Sequence, residues 1–222
     1  MFYSTQGMWF KFFQNRWPEW LSLVVVCLLY EALPTTLYWG PRGVMIGVVV
    51  VLIVAMMILH WHFKIVRILG LSTNILITSY MIISVGRIVV AVLTGKIMPA
   101  HLLLSSMSLW FTNIFVFALW YWNLDAGGPH KRFITKRHGV SAFLFPQSQL
   151  CLYPTEATKK FITWEPQFVD YLFLAFNTST AFSPTDTPVI TRWAKLMCMI
   201  QSIISLTIVI MLAARAINIL NP

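Results

Sequence analysis

The sequence predicts an all-α integral membrane protein of about five transmembrane helices, with a half-length helix and a polar break in its C-terminal third. Three observations predict it. Hydrophobic residues make up 58% of the 222 residues and charged ones only 10%; mean hydropathy is +0.74; and apolar runs long enough for a hydrocarbon core of about 30 Å recur along the chain. This composition is far from that of a soluble domain. A net charge of +9 would suggest nucleic acid in a soluble chain. Here it is assigned to basic loops beside anionic headgroups, so membrane lipids, and no nucleic acid, are the expected partners.

Each element follows in order. The opening MFYSTQGMWFKFFQNRW reads as an interfacial aromatic collar and lacks the ordered parts of a cleaved signal peptide. A first span is expected from Trp20 to Trp39, with Glu31 and Pro34 inside it, and a second from Gly43 to Phe63, bounded by HWHFK. The third, Ser72 to Leu93, is more polar and carries Arg87; the fourth runs from His101 to Trp122, with Trp110, Trp120, Tyr121 and Trp122 toward its ends as in interfacial belts. A loop of about forty residues then holds most of the hydrophilic sequence, a length that usually signals function or disorder. From Glu165 an apolar stretch too short to cross and return ends in TSTAFSPTDTP, residues 178–188, before a last long run from Val189 to Leu220. Irregular backbone at membrane depth is tolerated only where protein buries it or where it lines water. The break therefore reads as a re-entrant loop or, alternatively, as an amphipathic surface helix and turn. Residues 1–98 form an N-terminal three-helix region and residues 99–222 a C-terminal module.

The residues of that module resemble the pore module of potassium channels: a pore helix, a T-x-T-T-V-G-Y-G-D filter, then an inner helix opening with proline, threonine and a Trp-Gly-Arg-like triplet. Anchored on Asp186 without a gap, Thr178, Thr180, Thr191, Trp193, Ala194 and Lys195 fall on the family's Thr, Thr, Thr, Trp, Gly and Arg. The resemblance covers roughly Pro166 to Leu220, with the fourth span as outer helix. It implies a homotetramer around a pore for monovalent cations, a filter-like loop of Thr178, Thr180, Ala181, Phe182, Ser183, Pro184, Thr185 and Asp186, and an inner helix bearing Gln201 and Ser205. The chain departs from the pattern where filter glycines let carbonyls face the ion: Ala181 to Thr185 contains no glycine, and Pro184 has its φ fixed. Potassium selectivity is therefore not implied, and Ser205 stands where the inner helix often has its bending glycine. The stretch LWYWNLDAGGP from Leu119 is similar to bacterial membrane proteins, which implies a multi-pass protein of the bacterial inner membrane.

Two functions follow as expectations: a cation-conducting channel of non-standard selectivity, or a nonconducting helper or small-solute transporter that retains the fold. Asp186 has two readings, a carboxylate at the pore mouth or a cap for the final helix. Glu31 and Arg87, opposite charges inside spans of the same direction, are expected to pair, or else each to reach the surface or a cavity separately. The imidazoles of HWH diverge by about 200° on a helix, so interfacial histidines are favoured over a metal site. Cys27, Cys151 and Cys198 show neither a disulfide framework nor a metal spacing. With seven acids, none spaced for acid–base work, no enzyme and no cofactor are expected. The basic loop residues His130, Lys131, Arg132, Lys136, Arg137, His138, Lys159 and Lys160 read as a solvated, topology-setting group, with acidic headgroups or a partner as the alternative. Positive charge places that loop in the cytoplasm, whereas the resemblance places the filter loop outside.

Overall fold

The computed structural model describes residues 5–35, 37–94, 99–135, 141–150, 164–184 and 186–220. Among them the regular elements are helices: α1 (Thr5–Glu31), α2 (Val44–Ile58), α3 (Phe63–Thr94), α4 (Pro99–Leu124), α5 (Pro129–Thr135), α6 (Pro146–Leu150), α7 (Phe168–Thr180) and α8 (Arg192–Leu220), with a 3₁₀ turn at Asp125–Gly127. Three helices are long and apolar enough to cross a membrane, over Phe63–Thr94, His101–Gly127 and Arg192–Ala213. The 15 residues of α2 rise about 22 Å, short of a core of about 30 Å. Five spans are expected from the sequence; these three described helices have the length and composition of a span. Packing divides the chain into residues 1–116 with 207–222, and residues 117–206.

In the first unit the expected span Trp20–Trp39 is corrected. Helix α1 begins at Thr5, passes Pro18 and stops at Glu31, because a residue ahead of a proline avoids the helical region and Pro34 follows closely. Trp20, Leu23, Val26, Cys27 and Tyr30 are buried while Leu21, Val24 and Leu28 are exposed, a stripe at helical period. Glu31 thus stands at the end of α1, where a negative charge opposes the dipole. It is compensated by donors from the following turn: the Tyr38 hydroxyl and the Gly43 amide at 2.9 Å. Gly43 holds φ +78° there, a left-handed angle natural to glycine. Tyr30, Tyr38, Tyr80 and Trp39 gather around this turn, with ring centroids 4.6 to 5.3 Å apart.

The expected Glu31–Arg87 pairing takes a different form. Arg87 is exposed and donates to the Tyr38 carbonyl, so Tyr38 stands between the two charges, hydroxyl toward one and backbone toward the other. Ser84, one turn earlier on α3, donates to the Leu37 carbonyl at 3.3 Å. Other hydroxyls of α3 turn back onto their own helix, Thr73 to Leu69, Thr78 to Asn74 and Ser79 to Ile75. That is how an apolar helix carries hydroxyl side chains without leaving them unsatisfied.

Candidate functional site

The second unit holds the sequence-predicted loop. Helix α7 has 13 residues, about 20 Å at 1.5 Å per residue, and starts later than the Glu165 expected. Its first turn is capped by Asp170, whose Oδ2 accepts the Gln167 amide at 2.7 Å, the acid also suiting the dipole. Its buried face is Phe168, Tyr171, Leu174, Ala175, Thr178 and Ser179, the spacing of one helical stripe. The helix ends where Ala181 donates to the Asn177 carbonyl at 2.9 Å and Phe182 takes φ +54°. That is the left-handed position after a helix that glycine usually fills; a phenylalanine holds it at a cost of about 1–2 kcal/mol. Thr187 then closes a turn by donating to the Pro184 carbonyl at 2.9 Å, and α8 begins at Arg192.

A buried polar seam fixes α7 against α8. Gln201 is fully buried; its Nε2 donates to the Ala175 carbonyl at 2.7 Å and to Ser179 Oγ at 2.9 Å, while its Oε1 accepts the Tyr121 hydroxyl at 2.5 Å. One turn on, Ser205 donates to the Ser179 carbonyl at 2.7 Å, and Ser202 to the Thr178 carbonyl at 3.4 Å. Ser205 thus ties α8 to the last turn of α7. The Thr178 and Ser179 carbonyls, left over in the last turn of α7, receive the Ser202 and Ser205 hydroxyls.

Of the filter-like residues, Thr178 is buried with its hydroxyl donating to Leu174, and Thr180 donates back to Phe176 and Asn177. Ala181, Phe182, Ser183 and Asp186 are exposed and Pro184 half-buried; Thr185 lies outside the described residues. Phe182, Ser183 and Pro184 line an open depression of about 490 Å³ with Val189, Lys195, Cys198, Met199, Ser202 and Ile203. Among the described residues, Asp186 accepts the neighbouring Thr187 hydroxyl at 3.3 Å. It precedes α8 by too much chain to be its cap, which removes the capping reading.

A second centre was not foreseen. Asp125, fully buried, accepts from Ser141 Oγ at 2.8 and 3.0 Å, from the Ala142 amide at 2.6 Å and from the Tyr171 hydroxyl at 2.6 Å. Arg132, expected in a solvated loop, is buried instead. It donates to the carbonyls of Trp122 and Asp125 at 2.9 and 2.7 Å and lies over the Trp122 and Tyr171 rings at 4.3 and 5.2 Å, a stacked geometry suited to guanidinium. The signal in the sequence is DAGGP: Ala126, Gly127 and Gly128 all have positive φ. Gly128, at φ 93° and ψ 170°, occupies a region essentially closed to other residues, and a Cβ there would meet the Asn123 carbonyl oxygen at 2.9 Å.

Elsewhere, His60 is half-buried with Nδ1 3.0 Å from the Met57 carbonyl, His62 is exposed, and no cluster of His, Cys, Asp and Glu among the described residues could hold a metal. Cys27 and Cys198 are free and buried. His130 is half-buried and Lys131 exposed, while Lys136, Arg137, His138, Cys151, Lys159 and Lys160 lie outside the described residues. No protein family, curated protein or solved structure matches the chain.

Proposed function

We propose that the protein is a channel-like, multi-pass protein of the bacterial inner membrane that assembles as a homotetramer and conducts monovalent cations with non-standard selectivity. The observation that supports this reading is a half-length helix returned by an irregular turn to a long apolar helix. A buried polar seam joins the two, and Ala181, Phe182, Ser183 and Asp186 of the turn are exposed. Beside a membrane helix such backbone needs protein cover or water, and neighbouring copies around a wet axis supply both. The hydroxyls of Thr178 and Thr180 are engaged by their own helix, so Ser183 and Asp186 are the groups offered to an ion. Four Asp186 carboxylates around an axis attract cations and repel anions. The test is purified protein in planar bilayers. Discrete cation-favouring currents are expected; their absence across voltage, pH and cations, with tetramers intact, would favour a nonconducting helper or transporter.

A further inference from the structure

The carboxylate of Asp125 holds two things at once. Through Oδ2 it takes the Tyr171 hydroxyl, about two turns before Thr178 on the buried face of α7. Through both oxygens it takes Ser141 and, through Oδ1, the Ala142 amide. The segment so held is itself a strut. Ile190 donates to the Ala142 carbonyl at 2.8 Å and Leu144 to the Pro188 carbonyl at 3.0 Å, with Phe143 bridged antiparallel to Val189. Pro188 and Ile190 are the exit of the turn that Thr187 and Pro184 close. The helix leading into the turn and the strut leading out of it therefore converge on one buried carboxylate.

We propose that Asp125 is the positioning residue of the 181–187 turn, acting through Ser141–Leu144 on one side and Tyr171 on the other. The consequence for conduction rests on the pore reading; the positioning itself does not. Three facts support the assignment. A carboxylate can accept four hydrogen bonds, and here its three partners, the Ser141 hydroxyl, the Ala142 amide and the Tyr171 hydroxyl, come from elements flanking the turn. Hydrogen bonds to a charged acceptor are shorter and stronger than neutral ones, in keeping with the two 2.6 Å contacts. Phe143 fits between the rings of Tyr121, Tyr171 and Trp193, at 5.0 to 6.2 Å, so the strut has one seat and its displacement would be felt at Val189.

The test compares wild type, Asp125→Ala and Asp125→Asn in detergent by residue-resolved amide exchange, with reversal potentials in bilayers alongside. Asp125→Ala is expected to speed exchange about tenfold or more at Ala142, Leu144, Thr187 and Ile190, and Asp125→Asn, which keeps an acceptor oxygen, to restore most of the protection. Faster exchange at Ala142 alone, with Thr187 and Ile190 unchanged, would overturn the proposal. If Asp125→Ala does not fold, Ser141→Ala combined with Tyr171→Phe is read the same way. Relayed exchange without any current from wild type would uphold positioning and sink the pore reading. Current with unaltered exchange at Thr187 and Ile190 would do the reverse.

Discussion

Replacing Gln201 by methionine removes three buried hydrogen bonds while keeping the side chain's length and most of its volume. The bonds run to Ala175, Ser179 and Tyr121. A net hydrogen bond is worth about 1 kcal/mol in soluble proteins and averages about 0.6 kcal/mol between helices in a membrane. The expected loss is therefore about 2 kcal/mol, or a fall of roughly 4–8 °C in Tm for a chain of this size. Gln201→Ala adds an unfilled cavity and should cost about 2 kcal/mol more. The assay is thermal unfolding in one detergent, followed by near-ultraviolet circular dichroism, with a double-mutant cycle against Tyr121→Phe. Contacting groups should show coupling of at least about 0.5 kcal/mol. A methionine variant within about 1 °C of wild type, or strict additivity with Tyr121→Phe, would refute the claim that this seam holds α7 to α8.

Gly128→Ala should cost about 2–4 kcal/mol through backbone strain and the clash with Asn123, whereas Gly47→Ala, in a helix with open space at its Cβ, should be neutral or stabilising by up to about 1 kcal/mol; thermal unfolding separates them. Glu31→Ala and Tyr38→Phe break the same hydrogen bond, so each should lose about 1–2 kcal/mol and the double variant less than the two combined; full additivity would contradict the arrangement. Phe182→Gly should stabilise by about 1 kcal/mol by relieving the left-handed angle, offset by the side-chain packing it removes; a loss larger than about 2 kcal/mol would show that the ring, not the angle, governs this position.

What was legible in the sequence were the features that periodicity and hydropathy encode. The apolar runs containing Arg87 and Trp110 became α3 and α4, the stretch ending at Thr180 became a half-length helix, and the described residues of the polar break after Thr180 stayed non-helical. Boundaries were less legible where the end is set by distant contacts. That a helix would end at Glu31 was not legible because its partners, Tyr38 and Gly43, lie beyond the helix it terminates. Glu31 and Arg87 were brought to opposite sides of one tyrosine, a relation that depth counting along two helices does not reveal. Asp125 was missed because an isolated acid near a loop has the composition of a solvated residue; only the fold brings Tyr171 and Ser141 to it. The lack of glycine after Ala181 was visible, but that Phe182 would nonetheless adopt a left-handed angle was decided by the helix end and not by residue preference.

The proposed place of Asp186 at the mouth of a cation pathway is checked by reversal potentials under a salt gradient. Asp186 is exposed and its carboxylate caps no helix, so Asp186→Asn removes charge with little change in packing. Wild type should reverse near the cation equilibrium potential, and Asp186→Asn should shift toward zero with lower conductance while assembly size and Tm stay unchanged. Identical ion preference and conductance in the two proteins would contradict the assignment.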